Sequence, residues 1–424
     1  METSMSEVSL TAIDHSADKG ASLKQRLLHA ERAYRKRSVL LIAPLLIFLL
    51  ISFVFPIGNI LWKSLDNPEV KRALPTTLQA LQDWDGEGRP DEKVFSSLVM
   101  DLKTAKAEGQ TPGLIKRLGY EDGRYRTLLN MALRKLPDND AESISRALIA
   151  QSTLWAEPST WRSIQRAGRP LTAYYVLAAF DHQVDAQSGD IVELPKGQAL
   201  YLSVLMRTLW MASVVTLLCV LFGYPVAYWL AKQPSSRANL LLIMVLLPFW
   251  TSLLVRTAGW IVLLQNGGLI NSSLIGLGLI EQPLQLVFNR VGVYISMTHI
   301  LLPFVILPLY AVMKGISPNY VRAAVSLGAH PFRAFWSVYV PQTFAGVTAG
   351  ALLVFIMAIG YYITPALLGG PGDQMLSYFV AFYTNTTINW GMAAALGSQL
   401  LIIVLLLYWV YSRITRPANP AQRA

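Results

Sequence analysis

Trp250, Arg256, Trp260, Tyr361, Tyr362 and Asp373 are the side chains of this sequence best suited to hold a small solute. Ring faces attract cations, and Asp373 is the one acid between Glu281 and the C-terminus. The set therefore suggests recognition of a cation rather than bond-making chemistry. Each member also has a purely structural use. Arg256 lies inside an apolar run, where a charge must face protein or water; it serves a solute there, or helix carbonyls and headgroups. The rings fit packing or an interfacial belt, and Asp373, in GGPGDQ, fits a loop acid or helix cap. Catalysis has no comparable support. His15, His29, His182, His299 and His330 are scattered without metal-ligand spacing, and no phosphate-binding loop, H-E-x-x-H or G-x-S-x-G occurs. A single cysteine, Cys219, excludes an intrachain disulfide and a cysteine metal cluster. The expectation is a protein that is not an enzyme and binds no cofactor or metal of its own.

A second set is contiguous. VRAAVSLGAHPFRAFWSVYVP, residues 321–341, lies between two strongly apolar stretches yet carries two arginines and a histidine, so it is not lipid-exposed membrane core. Ser317-Pro318 is a helix start, because the hydroxyl accepts from free amides and proline at the first position wastes no donor. Gly328 is a stop, since it takes the left-handed conformation without a side-chain clash. Val321, Ala324 and Val325 fall on one stripe and Arg322 and Ser326 on another; Ala323 and Ala324 permit close approach by a partner. His330-Pro331 starts a second short helix, predicted to end at Pro341. The expected product is a helix-turn-helix knob shaped to enter a groove on another protein.

These residues need a membrane scaffold. The chain of 424 residues is 53% hydrophobic and 15% charged, with a mean hydropathy of +0.40, against about 25% charged in soluble domains. Apolar windows of about 20 residues occur at 39–62, 203–231, 239–264, 291–313, 343–367 and 392–412, each read as one tilted helix. The first is read as a retained helix rather than a signal peptide. Gly346 and Gly350 form G-x-x-x-G in the fifth, which signals either close helix packing or coincidence. The net charge of +10 does not gather into a nucleic-acid-binding face; it follows the positive-inside rule instead. Residues 1–38 carry seven Lys and Arg, the loop 314–342 carries Lys314, Arg322 and Arg333, and the tail 413–424 carries three arginines. The short loops 265–290 and 368–391 contribute only Arg290. Both termini and the knob are thus expected on the cytoplasmic side.

Residues 63–202 fall on the outer side. Their eighteen Lys and Arg nearly balance nineteen Asp and Glu, and long translocated domains are exempt from the charge rule. Apolar residues recur at three- and four-residue spacing in DEKVFSSLVMDLKTAK, RYRTLLNMALRKL and DNDAESISRALIAQSTLW, the last with Asp138 or Asp140 as candidate cap. A small, mostly helical extracytoplasmic domain is expected, as a structural insertion or as a docking or gating element.

The knob resembles the cytoplasmic EAA loop of permease subunits in binding-protein-dependent ABC importers, whose pattern is E-A-A, three residues, G, nine residues, I-x-L-P. Ala323 and Ala324 match the alanines, Gly328 the glycine, Val338 and Val340 the aliphatics and Pro341 the proline; Arg322 stands at the glutamate position. FGYPVAYWLA, PFWTSLLVRTAGWIVLLQNGGLIN, LPFVILPLY and ITPALLGGPGDQML are similar to the spermidine/putrescine-type permeases, so the resemblance spans roughly 200–412. It implies an all-α fold of six transmembrane helices of the type I importer class, with a helical insertion between the first two, in a bacterial inner membrane. Tyr320, Val321, Arg322, Ala323, Ala324, Gly328, Ala329, His330 and Pro341 then form or flank a coupling helix that docks into a cytoplasmic ATPase dimer, where ATP and Mg bind. A second permease subunit, paralogous or identical, and an extracytoplasmic binding protein complete the assembly, with no nucleic acid. The implied solute is a polyamine; opines, amino acid derivatives, ferric iron and phosphonates are the alternatives within the family. A secondary transporter and a membrane-bound sensor are the rivals outside it; the first commonly uses an intramembrane carboxylate, and the six apolar windows contain no Asp or Glu, while the second is expected to carry an output module after the last span, where about a dozen residues follow.

Overall fold

The computed structural model describes residues 39–137, 143–185, 188–195 and 197–414. The candidate caps Asp138 and Asp140 lie outside the described residues. Two units divide the chain, one up to Ile60 and one from Leu61 onward. The first contains most of helix α1, Val39–Trp62, which has a π turn at Leu50–Val54 and no buried residue in its apolar window.

The second unit begins with a helical domain built around one apolar core. Its helices are α2 (Pro68–Ala73), α3 (Pro75–Ala80), α4 (Glu92–Ala107), α5 (Thr111–Glu121), α6 (Arg124–Arg134), α7 (Ile144–Gln151), α8 (Pro158–Ala167) and α9 (Tyr174–Ala179). Phe95, Leu98, Leu102, Leu118, Trp155 and Trp161 are each 1% exposed or less, and the Trp161 ring meets Phe95 edge-on at 4.7 Å. The third expected helix is interrupted. Ser143 caps α7 by accepting from the Arg146 amide, and Ser152 breaks it into a separate 3-10 turn, Thr153–Ala156. Serine competes for backbone donors in this way wherever it has an extended conformation. A two-stranded antiparallel hairpin, β1 (His182–Val184) with β2 (Ile191–Glu193), completes the domain, pairing His182 with Glu193.

The remainder is a helical bundle. Its elements are α10 (Tyr201–Ala231), α11 (Ser235–Leu246), α12 (Leu253–Leu264), α13 (Leu269–Gly276), α14 (Arg290–Lys314), α15 (Pro318–Ser326), α16 (Pro331–Gly360), α17 (Ile363–Leu368), α18 (Leu376–Asn385) and α19 (Trp390–Ile414). With α1, six helical segments of the described residues are long and apolar enough to cross a membrane. Helix α14 is the hub. A methyl group on Gly350 of α16 would sit 3.1 Å from the Val305 Cα, and one on Gly223 of α10 would sit 3.1 Å from the Val305 Cγ1. Gly346 is as tightly seated, 3.2 Å from the Leu309 Cα. Of the two readings of G-x-x-x-G, the structure has close packing.

Three sequence expectations are corrected. The window 239–264 is not one helix: α11 passes through a 3-10 turn, Leu247–Trp250, and Thr251 is extended before Ser252 caps α12 by accepting from the Val255 amide at 3.2 Å. Nor is 343–367 one helix, because the backbone extends at Tyr361 and restarts at Ile363. Pro341 does not end the knob's second helix. A π turn, Phe335–Tyr339, precedes it, and the shifted hydrogen-bond ladder absorbs the missing proline donor, so α16 runs unbroken from Pro331 to Gly360.

The helical domain is fastened to this bundle. Asp181, buried and at φ 57°, accepts from the amides of Leu200, Tyr201 and Leu202 at 2.9, 2.8 and 2.8 Å. It thereby caps α10, where a carboxylate also opposes the helix dipole. Gln399 of α19 donates to the Ala179 carbonyl at 2.5 Å, and the Tyr175 ring occupies the space a side chain at Gly391 would need.

Candidate coupling surface and solute pathway

Helix α15 forms as its sequence dictates. Ser317 accepts from the Asn319 amide at 3.4 Å, Pro318 takes the first position, and Gly328 adopts φ 94°. The Ala329 amide donates to the Ala324 carbonyl at 3.0 Å and Gly328 to Val325 at 2.9 Å, the paired bonds of a glycine-terminated helix. His330 then accepts from the Phe332 amide at 3.3 Å and starts α16. Val321 and Ala324 are half-buried on the inward stripe, and Ala329 is too. Tyr320, Arg322, Ala323, Gly328, His330 and Pro341 are exposed, and Val325 belongs with them rather than with the inward stripe. Leu327 is 89% exposed, Phe332 68% and Trp336 56%. A patch of large apolar residues on a polar-rimmed knob marks an interaction surface.

The knob is joined rigidly to the bundle. Rings of Phe335 and Tyr339 both lie 5.3 Å from that of Tyr228 near the end of α10. Lys232 sits 4.1 Å over the Tyr228 ring, and Lys314, ending α14, donates to the Gln233 carbonyl at 2.9 Å. Displacement of the knob thus loads three spans at once.

Within the bundle, α12, α14 and the break after α16 converge. Trp260 donates its Nε1 hydrogen to His299 Nδ1 at 3.3 Å, with ring centroids 5.3 Å apart; that bond assigns the His299 proton to Nε2. The Arg256 guanidinium stands 5.5 Å over the Phe249 ring, one turn before Trp260 on α12. Its Nε is buried without a hydrogen-bond partner among the described residues. Thr257 and Thr364 hydroxyls meet at 3.2 Å, and Ser377 donates to the Tyr361 carbonyl at 2.7 Å; these bonds hold the broken helix ends in place. Arg256 and Trp260 are therefore neighbours on α12, with His299 as a member the spacing of histidines did not reveal. A lone histidine in an apolar span was its only sequence signal.

Trp250 is 82% exposed and Tyr362 38%. Asp373 is elsewhere and occupied. It is buried, accepts from Arg290 Nε at 2.7 Å and from the Gly370 amide at 3.1 Å, while Arg207 donates to the adjoining Gly372 carbonyl at 2.5 Å. This geometry makes Asp373 a cap and an ion-pair partner.

The described residues thus form a bundle of helices long and apolar enough to cross a membrane, with an exposed apolar knob between two of them. Residues 203–418 match the family described as binding-protein-dependent transport system inner membrane component, and the chain belongs to that family. It is a multi-pass inner membrane protein whose relatives are permease subunits. The spermidine/putrescine transport system permease protein PotB of Escherichia coli (strain K12) is 35% identical over 220 residues, 52% of this chain and 80% of that protein. PotB of Haemophilus influenzae is 34% identical over 220 residues, 52% of this chain and 77% of that protein. The solved bacterial alginate ABC transporter in complex with an alginate pentasaccharide-bound periplasmic protein aligns over 51% of this chain and 78% of its own chain. Its identity is 16% and its TM-score 0.42, a likeness too low to add to the assignment. The helical domain before α10 lies outside the family match.

Proposed function

We propose that this chain forms half of the membrane pathway of an ATP-driven importer for a polyamine of the spermidine/putrescine type. The observation that carries the reading is 35% identity over four-fifths of a permease named for those solutes. A binding protein delivers solute on the outer side, and a second permease subunit, most simply a paralogue, supplies the other half. ATP and Mg act on a pair of partner ATPases. Tyr320 to His330 is the coupling helix: the exposed Leu327 and Phe332 enter an ATPase cleft, and the Tyr228, Phe335 and Tyr339 rings pass the movement into α10 and α16. The bundle then rocks between two states, a population shift driven by nucleotide rather than by chemistry in this chain. Arg322, in place of the family's glutamate, offers the opposite charge at the rim of that contact. The positive-inside distribution supports cytoplasmic termini and knob, with the helical domain outside.

Arg256 favours a second reading of the solute alone. An arginine whose Nε is buried without a hydrogen-bond partner among the described residues, one turn from Trp260 and among spans without a carboxylate, suits an anionic or neutral family solute such as a phosphonate or an opine. Uptake of labelled spermidine, putrescine and a phosphonate by proteoliposomes containing the whole assembly decides between them. Spermidine uptake abolished by removing ATP supports the first reading; uptake of the phosphonate alone sinks it.

A further inference from the structure

A groove of about 850 Å³ lies between the helical domain and α18, and shares no residue with the group around Trp260 and His299. Its basic side chains are Lys106 of α4, Lys116 of α5 and Arg126 of α6, and no carboxylate lines it among the described residues. None of the three forms an ion pair among those residues either. Lys106 donates to the Leu133 carbonyl at 3.0 Å. Lys116 donates to the carbonyls of Thr387 and of Ile388, the latter at 3.1 Å. Arg126 is exposed and stands 5.9 Å over the Tyr120 ring, its stem lying where a side chain at Gly119 would collide.

Two carboxylates stand outside the lining. Glu108 accepts from Gln110 at 2.6 Å. Glu69 acts on Lys116, yet burial still holds that ammonium below the usual lysine range. The start of α5 adds to the positive field, because Thr111 and Pro112 line the groove and Gln110 ahead of them makes no side-chain cap. A helix N-terminus carries partial positive charge.

The rest of the lining is largely apolar, with Ile115, Leu133 and the rings of Phe382 and Tyr383. Thr387 also lines the groove and precedes Trp390, the first residue of α19, by three positions. The head of a membrane-crossing helix marks a membrane boundary, where tryptophan is enriched. Phe382, Ile388 and Trp390 are exposed large apolar residues in this stretch. A free phosphate uses the three cations and leaves the apolar lining idle; an amphiphile with an anionic head uses both.

The geometry points to this groove as a binding site for an anionic phospholipid, its phosphate against Lys106, Lys116 and Arg126 and its glycerol and upper acyl chains against Phe382 and Tyr383. Such a lipid ties the helical domain, which lies outside the family match, to the membrane boundary at α18 and α19. The inference holds whichever solute the chain transports.

The test is photo-cross-linking from inside the groove. Phe382, an exposed ring, is replaced by p-benzoylphenylalanine in the purified full-length chain, in nanodiscs of equal phosphatidylglycerol and phosphatidylcholine. Adducts are then identified by mass spectrometry. Phosphatidylglycerol adducts are expected to exceed phosphatidylcholine adducts about tenfold, since each Lys or Arg near an anionic lipid is worth roughly fivefold. Lys106→Gln with Arg126→Gln should abolish that preference, whereas Arg134→Gln with Lys135→Gln, an equal loss of charge from exposed residues off the groove, should retain it. If the first pair does not fold, Thr111→Glu brings a carboxylate to the groove at a helix start that favours it, and the same loss is expected. Added glycerol 3-phosphate or a polyglutamate peptide, standing for a soluble phosphate and an acidic protein surface, should leave the adducts unchanged. No lipid adduct, equal adducts of both lipids, a preference that survives in the groove variants or is lost in the control pair, or displacement by either soluble competitor overturns the proposal.

Discussion

Gly328 holds φ at 94° with no atom within 4 Å of where a side chain would start, so the demand on this position is conformational and not spatial. A β-branched residue there carries about 1–3 kcal/mol of backbone strain, enough to redirect the chain between α15 and α16. Gly328→Val should leave the bundle folded yet abolish uptake while ATP hydrolysis by the assembly becomes insensitive to solute; retention of both wild-type uptake and stimulated hydrolysis sinks the coupling role. Leu327→Asp tests the same surface by charge. Because that side chain is 89% exposed, its replacement should not shift the melting temperature of the isolated chain but should reduce co-purification of the ATPase. The cap and the stop of this helix were legible because Ser317 and Gly328 act on their own neighbours. Asp373 was legible only as two alternatives, since its partner Arg290 is 83 positions away and no local pattern records such a pair. Asp373→Asn should lower the melting temperature by leaving two arginines beside a neutral amide, and adding Arg290→Met should recover part of the loss; equal melting of wild type and both variants refutes the pairing.

At the scale of elements, hydropathy located five of the six spans among the described residues, but its third window, 239–264, straddles the short helix Ser235–Trp250 and the first half of the span Leu253–Gly276, and it missed the interruptions. A window average is blind to where the backbone bends. The signals lay in Pro248 followed by Thr251 and Ser252, whose side chains compete for local backbone bonds, and in the paired tyrosines after Gly360. Thr257 on α12 meets Thr364 just past the second break, so the candidate group was legible as residue types and not as an arrangement. Pro341 misled in the opposite direction, because a π turn upstream lets the helix continue through it. The glycine seats on α14 carry their own expectation. Gly350→Leu drives a side chain into the Val305 backbone at 3.1 Å, and backbone cannot yield as a flexible side chain does. A loss of about 1–3 kcal/mol should appear as a lower melting temperature in detergent; an unchanged value contradicts the packing of α16 on α14.

In the whole molecule, the helical domain was legible as a domain and illegible as an attached one. Its core follows from three- and four-residue apolar spacing, whereas the attachment uses Asp181, Tyr175 and Ala179 against residues from 200 to 399. None of those contacts leaves a periodic trace. Asp181→Asn retains a residue tolerant of positive φ but gives up the carboxylate that caps α10. Limited proteolysis should then cut faster between the hairpin and α10, with α14 and α16 protected as before; cleavage at the wild-type rate denies the cap its role in fastening the domain.

Tyr175 and its seat at Gly391 are 216 positions apart in a chain made from one end to the other. At about 5–20 residues per second, the domain is complete roughly 10–40 s before the last span exists to receive it. During that interval the ring and its apolar neighbours Ala178 and Ala179 face water or a helper protein. Membrane insertion of the final helix is thus also the event that finishes the helical domain, and a ribosome stalled before Gly391 leaves that domain with an open, sticky side.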